Sequence, residues 1–226
     1  VPDSGRIQFE DQTFEKMTPH LAQSVGVATI YQEFNLFPTL SVAENIFMGD
    51  EAMKKESGRL YHKKIYIENA KKVLDSMNVN FSPTELIEDM TTAKMQLVEI
   101  AKAVAKNARI LIMDEPTAPL STKETETLFE LIGHLKQQGV TIIYISHRLE
   151  ELYRIADRVT VMRDGKKIIT APIAEITRHD LIFHMANRKV EEIEFQSSPE
   201  KGDVVLRAQN VCGNGLKDIS FSVRRG

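Results

Sequence analysis

The sequence has little cysteine, little excess charge of either sign and no long apolar run. Cys212 is its single cysteine, so no disulfide can form within these 226 residues, and a reducing compartment is indicated. The formal net charge is -3, which argues against a basic surface of the kind that binds nucleic acid. No apolar run approaches the about 20 residues of a membrane-spanning helix. These absences leave a globular protein without a nucleic-acid surface as the expected class.

The rest of the composition is that of an ordinary globular chain. Hydrophobic residues make up 42% of the sequence and charged residues 27%. A length of 226 residues permits one large domain, or one domain and part of another.

The most informative stretch runs from Arg109 to Ser121. The apolar run Ile110–Met113 predicts a strand buried on both faces, as in parallel sheets. Asp114 and Glu115 end this strand, at the place where open α/β sheets bind their ligands. Taken alone, the same pattern also fits a strand that ends in a solvated acidic turn.

Two further predicted strands end in polar side chains. Residues 25–31 form a strand candidate followed by Gln32, and residues 140–145 predict another buried strand shortly before His147. By themselves, an amide and a histidine at strand ends are more often surface or structural residues.

Helix signals separate these strands. Ser41 with Glu44 and Ser121 with Glu124 have the spacing of capping boxes. The segment 90–96 runs directly into an apolar helical pattern, so its end predicts a helix N-terminus suited to anions. A hairpin is predicted around Asp164-Gly165, followed by a last helix over 177–188.

These elements occur in the order found in ATP-binding cassette proteins. D-E-P-T-A-P-L-S, from Asp114 to Ser121, resembles the Walker B strand end and D-loop of that family. Q-E-F-N-L-F-P-T-L-S-V-A-E-N, which starts at Gln32, resembles its Q-loop, and I-S-H-R-L-E-E resembles the segment of its switch histidine. The resemblance implies an α/β, P-loop NTPase-like (RecA-like) parallel-sheet core with an inserted α-helical subdomain at about 40–106.

The resemblance also implies roles for individual residues. Asp114 and Gln32 would serve Mg²⁺, and Glu115 would orient or deprotonate the attacking water. His147 would contact the γ-phosphate of ATP, and Ser121 would belong to the nucleotide-binding D-loop.

At the predicted anion-binding helix end, the family carries the signature L-S-G-G-Q, and this chain has M-T-T-A-K. The corresponding nucleotide-binding candidates are Thr91, Thr92, Ala93 and Lys94. Thr91 keeps the hydroxyl of the signature serine. Both signature glycines, which allow a close approach of backbone to phosphate, are replaced, by Thr92 and Ala93.

One family element does not occur in the sequence. There is no G-x-x-x-x-G-K-[ST] motif, and the Gly165-Lys166 pair fits neither its spacing nor its following residue. We therefore expect a segment truncated at both ends, between the phosphate loops of two cassettes. The predicted parts are a first domain at 1–190, a polar linker at 191–203 and the start of a second domain at 204–226. This segment alone is expected to lack hydrolysis.

The resemblance is strongest to the twin-cassette ATP-binding subunits of monosaccharide importers of the ribose, galactose and arabinose type. It implies ATP and Mg²⁺ as cofactors and a peripheral position on the cytoplasmic face of the membrane. The implied partners are transmembrane permease subunits, the second cassette of the same chain and, indirectly, a periplasmic sugar-binding protein. Two alternatives remain open: a soluble twin-cassette ATPase acting on ribosomes or DNA, and a catalytically silent regulatory cassette.

Overall fold

The computed structural model describes residues 3–49, 63–186, 202–213 and 216–225. The strands are β1 (Ile7–Phe9), β2 (Gln12–Phe14), β3 (Val27–Ile30), β4 (Ile110–Asp114), β5 (Thr141–Ile145), β6 (Arg158–Arg163), β7 (Lys166–Pro172), β8 (Val204–Gly213) and β9 (Leu216–Arg224). The α-helices are α1 (Pro19–Ser24), α2 (Val42–Phe47), α3 (Lys63–Ser76), α4 (Thr92–Ala105), α5 (Thr122–Gln137), α6 (Leu149–Ile155) and α7 (Arg178–Ala186). Short 3-10 turns cover Ile87–Asp89 and Ile173–Glu175.

A parallel sheet with the order β3-β4-β5 forms the centre of the fold. Ile30 pairs with Met113, and Asp114 pairs with Ile145, so the three strands end at the same edge. The central strand is the best covered, because Leu111 and Met113 are 0% exposed. The predicted parallel-sheet core is therefore confirmed.

The prediction that β5 is a buried strand is wrong within the described residues. Ile143 and Ile145 are 47% and 48% exposed. The reason is topological: β5 lies at the edge of the described sheet, and one of its faces lacks a covering layer.

Helices α2, α3 and α4 lie between β3 and β4 in the chain, where the sequence predicts a helical subdomain. Helix α2 begins with the predicted capping box, in which the Ser41 hydroxyl accepts from the Glu44 N–H and the Glu44 carboxylate accepts from the Ser41 N–H. Five of its six residues are buried. Ala70 and Leu74 of α3 join the same core, so apolar packing holds these helices together.

Helix α5 follows the polar end of β4 and also begins as predicted, with a capping box of Ser121 and Glu124. The predicted apolar stripe is buried and consists of Leu128, Leu131, Ile132 and Leu135. Gly139 follows the helix with a φ of +88°, which makes it the predicted helix-ending glycine.

A second, smaller core lies beyond β5. The hairpin β6–β7 turns at Asp164 and Gly165, whose φ values are 50° and 72°, as a two-residue turn of the predicted kind requires. Val159 and Val161 of this hairpin pack with Leu152 of α6 and Leu181 of α7. Across the described residues, no helix combines the length and the apolar composition that crossing a membrane requires.

The last described segment is the hairpin β8–β9. Its register pairs Leu206 with Val223 and Val211 with Ile219, so these side chains share one face with Phe221. These large side chains are 40% to 53% exposed. The predicted apolar face is thus present and open. The predicted linker lies outside the described residues except for Gly202 and Asp203.

We expect this hairpin to cause association of the 226-residue chain, because an exposed apolar face on a two-stranded sheet invites other chains. Ending the chain at Arg188 should reduce light scattering and leave the melting temperature of the remaining domain unchanged. In the uncut chain, Phe221→Lys on the apolar face should act like the truncation. Ser222→Lys, on the opposite face of β9, serves as the control. Equal light scattering from the uncut chain, the truncated chain and the two variants would refute this prediction.

Candidate functional site

The carboxyl ends of β3, β4 and β5 bring the predicted catalytic and metal-binding residues to one edge of the sheet. Gln32 follows β3 by two residues, Asp114 ends β4 and is followed by Glu115, and His147 follows β5 by two residues. Since the strands are parallel and in register, these four side chains form one polar edge. We call Gln32, Asp114, Glu115 and His147 the polar edge. This is the part of an open α/β sheet where ligands bind.

Glu115 has an unusual backbone conformation. Its φ is +45°, in the left-handed region that residues with a side chain rarely adopt. Its N–H donates to the Ile145 carbonyl at 2.9 Å, and its own carbonyl accepts from the Ala118 N–H at 3.1 Å. Such a conformation costs on the order of 1–3 kcal/mol and persists where surrounding contacts enforce it, often at functional sites.

Glu115 and His147 are in direct contact. Nδ1 of His147 lies 2.9 Å from Oε1 of Glu115, and the imidazole donates this hydrogen bond when Nδ1 carries the proton. The His147 side chain is 70% exposed and the Glu115 side chain 33%. In such a pair, the carboxylate can take a proton from a water molecule, and the imidazole can donate an N–H to an anion.

Asp114 and Gln32 supply oxygen atoms at the same edge. Asp114 is half-buried and Gln32 is exposed. Among the described residues, neither side chain makes a hydrogen bond or an ion pair, so their oxygens are available. A carboxylate and an amide carbonyl fit Mg²⁺, which uses one or two carboxylates together with substrate phosphates and water. Within the described ranges there is no cluster of three or more His, Cys, Asp or Glu residues suited to a metal ion.

The predicted nucleotide-binding residues 91–94 lie at a different place, the N-terminus of α4. Thr91 is the N-cap, and its hydroxyl accepts from the Lys94 N–H at 3.4 Å. Thr92 and Ala93 form the half-buried first turn. Lys94 donates to Glu85 at 2.7 Å, which partly neutralises the positive charge at this helix end. No hydrogen bond or ion pair of the described residues joins this segment to the polar edge.

Ser121, the remaining predicted nucleotide-binding residue, is engaged as a helix cap. Its hydroxyl donates to Oε2 of Glu124 at 2.7 Å and accepts from the Glu124 N–H at 3.4 Å. The Ser121 hydroxyl, together with the Ser121 backbone N–H, which donates to the same oxygen at 2.8 Å, lowers the pKa of the Glu124 carboxyl. The structure therefore gives Ser121 a capping role.

Sequence reasoning missed a buried polar cluster beneath the polar edge. Glu151, in the first turn of α6, is 5% exposed and accepts hydrogen bonds from Thr117, Tyr144 and Ser146. Burial, together with the bond to Glu151, raises the pKa of the Tyr144 hydroxyl, which therefore stays protonated and donates. The one sequence signal for Glu151 is its place near the start of a helix, and exposed glutamates are common at the same place.

The parallel sheet and the polar edge define an α/β, P-loop NTPase-like protein, and comparison with known proteins agrees. The family described as "ABC transporter" matches residues 1–118, so the chain belongs to the ABC transporter family. The chain is 44% identical over 226 residues to the ribose import ATP-binding protein RbsA 3 of Rubrobacter xylanophilus. It is 40% identical over 225 residues to the ribose import ATP-binding protein RbsA of Clostridium perfringens strain 13.

A third relative is the putative ribose/galactose/methyl galactoside import ATP-binding protein 1 of Agrobacterium fabrum, at 40% identity over 227 residues. The matches cover 100%, 99% and 100% of this chain, but only 45%, 45% and 44% of the three relatives. The chain thus spans less than half the length of the curated relatives that it matches.

Solved structures support the fold. A nucleotide-free ATP-binding cassette of an ABC transporter superposes with a TM-score of 0.64 at 23% identity, covering 75% of this chain and 70% of that one. A cassette in its ADP conformation superposes with a TM-score of 0.66 at 22% identity, covering 83% of this chain and 75% of that one. At these identities the likeness shows that the chain has the fold of an ABC cassette.

Proposed function

We propose that this chain belongs to the ATP-hydrolysing subunit of an importer that takes up monosaccharides. The contact between Glu115 and His147 at the carboxyl edge of the sheet carries the hydrolytic part of this proposal. The sugar part is supported by relatives named as ribose and ribose/galactose import proteins, which match over essentially the whole chain.

In the proposed reaction, Glu115 orients a water molecule and accepts its proton, and the imidazole of His147 donates to an oxygen of the γ-phosphate. Asp114 and Gln32 would hold Mg²⁺, which supplies charge neutralisation on the phosphate oxygens when bound. The left-handed backbone of Glu115 holds its side chain next to the imidazole before the nucleotide arrives. Positioning and electrostatics do most of the work in such a reaction.

We propose that the phosphate-binding loop lies in a part of the protein that precedes this sequence. Exposed Ile143 and Ile145 on β5, whose outer edge is unpaired among the described strands, support a further strand and covering layer there. Residues 1–190 would then belong to a first cassette, and residues 204–226 would open a second one after the linker 191–203.

Thr91, Thr92, Ala93 and Lys94 would contact ATP bound to the second cassette, because they lie apart from the polar edge of their own domain. Ser121 would take part in nucleotide binding at the same domain interface through its capped turn. A helix N-terminus with free N–H groups and a hydroxyl suits a phosphate, and the Lys94–Glu85 pair would need to open for the ammonium to contribute.

The proposed partners are transmembrane permease subunits, with a periplasmic sugar-binding protein acting through them. Tyr31, directly before the Q-loop segment, and Phe37, within it, are 59% and 53% exposed, which supports a protein contact at this surface. The protein would then lie peripherally on the cytoplasmic face of the membrane. The net charge of -3 supports a protein partner over a nucleic acid.

The second candidate function is a silent, regulatory cassette. It is favoured by the replacement of both signature glycines by Thr92 and Ala93 and by the pairing of Lys94 with Glu85. The presence of Glu115 and His147 in mutual contact favours hydrolysis, because a silent site has no physical need of that arrangement.

The test is reconstitution of the full-length protein with its permease in vesicles. We expect ATP hydrolysis that is stimulated by the sugar-loaded binding protein, and uptake of a labelled monosaccharide. Disabling the second cassette by mutation should leave turnover at the first site. ATP binding without any turnover at the first site would support the silent cassette, and hydrolysis without sugar uptake would refute the transport assignment.

A further inference from the structure

Glu151 is a buried carboxylate whose four polar contacts are all made within the chain. It accepts from Thr117 Oγ1 at 2.7 Å, Tyr144 OH at 2.7 Å and Ser146 Oγ at 3.1 Å. Nη1 of Arg148 lies 2.9 Å from its Oε1. Burying a charge is costly unless it is both paired and hydrogen-bonded, and Glu151 satisfies both conditions.

The partners of Glu151 lie in the two segments that carry the candidate catalytic pair. Thr117 follows Glu115 by two residues and is 1% exposed. Ser146 directly precedes His147, and its hydroxyl also accepts from the Arg148 N–H at 2.9 Å. One buried carboxylate therefore ties the turn after β4 to the loop after β5.

The direct contact between Glu115 and His147 is too exposed to hold this geometry alone. Exposed ion pairs contribute about 0–1 kcal/mol, because solvent and salt screen them and two side chains must be ordered. Hydrogen bonds to a buried carboxylate are shorter and roughly twice as strong as neutral ones. The backbone bond from the Glu115 N–H to the Ile145 carbonyl and the buried layer beneath the pair therefore hold the two segments together.

We propose that Glu151 is a positioning residue, whose carboxylate holds the Thr117 turn and the Ser146 loop together and so fixes Glu115 against His147. This inference rests on the proposed ATP hydrolysis. Glu151 itself lies below the edge and acts through Thr117 and Ser146. Loss of one of these bonds should loosen the pair without removing any group that touches ATP.

The main test is Thr117→Val in the full-length protein with its second site disabled. The change keeps the shape of the side chain and removes the donor. We expect kcat for ATP hydrolysis to fall by about tenfold to a hundredfold, since small misplacements of reacting groups have effects of this size. KM for ATP should change less than about twofold, because a positioning defect acts on the transition state. Thr117→Ser, which keeps the hydroxyl, should restore the rate.

The matched control is Thr125→Val in α5. Thr125 is 9% exposed, and its side chain makes no hydrogen bond with the described residues, so removing its hydroxyl should leave kcat unchanged.

A double variant tests whether Thr117 acts through Glu115. In a Glu115→Gln background, Thr117→Val should lower kcat little further, because the effects of residues that act as a unit are not additive. A purely structural role for the cluster would instead give additive losses, and that result would overturn the proposal.

A second measurement separates this inference from the proposed function. Amide hydrogen exchange at Glu115 and Arg148 reports the hydrogen bonds of the two segments directly, without any turnover. Thr117→Val and Glu151→Gln should speed exchange at both amides, and Thr125→Val should not. If the wild-type protein hydrolyses no ATP, the proposed function fails and the exchange data alone decide the inference. Unchanged exchange at both amides would overturn it.

Discussion

Replacing Glu115 by glutamine is expected to lower ATP hydrolysis by about 10²–10⁴-fold, the usual contribution of a general base. Glutamine keeps the size and the hydrogen-bonding oxygen of the side chain but cannot accept the proton of the attacking water. ATP binding should survive, because the phosphate contacts come from other groups. The rate is measured in the full-length protein with its second site disabled, and ATP binding is measured by calorimetry.

Glu130→Gln is the matched control for this experiment. Glu130 lies on the exposed side of α5, so the same chemical change there should leave the rate unaltered. If Glu115→Gln hydrolyses ATP at the wild-type rate, Glu115 is not the base and another group must activate water. If both variants lose activity, a general effect on folding accounts for the loss.

Replacing Leu111 by alanine is expected to destabilise the protein by about 2–5 kcal/mol, the usual range for large-to-small changes in a core. Leu111 is 0% exposed and lies in β4, the central strand, where it pairs with Ala28 on one side and Ile142 on the other. The loss is large against a typical total stability of about 5–15 kcal/mol.

The measurement is denaturant unfolding followed by circular dichroism, with Met162→Ala as the control. Met162 lies on β6 and is 68% exposed, so its truncation should change the unfolding free energy by less than about 0.5 kcal/mol. A similar small change for Leu111→Ala would mean that β4 is not at the centre of the folded core. The prediction tests the burial of β4 independently of any enzymatic activity.

Local chemistry in the sequence accounts for much of the fold. The capping boxes at Ser41 and Ser121 form because each pair satisfies backbone groups within one helical turn. The Asp164-Gly165 turn and the apolar stripe of α5 are equally local. The order of polar strand ends, together with the family motifs, also placed Gln32, Asp114, Glu115 and His147 at one edge.

Strand β5 forms where its apolar residues predict, but its burial differs from what they predict. An apolar run such as residues 140–145 predicts a strand, but not the layers that cover it. Whether Ile143 is buried depends on which strand or helix lies beside it, and this neighbour is a long-range property of the chain. The charge of Lys94 is a similar case, because its pairing with Glu85 depends on the loop that precedes α4.

The sequence by itself determined the class of the protein, the order of its elements and the candidate groups at the polar edge, because these depend on local periodicity, capping and contiguous motifs. Only the tertiary structure decided that Glu115 contacts His147 and that Glu151 lies buried beneath both segments. Thr117 and Glu151 are 34 residues apart in the chain. The physical reason is that hydrogen bonding and burial depend on which groups the folded chain brings together, and no local pattern of residue types specifies those neighbours.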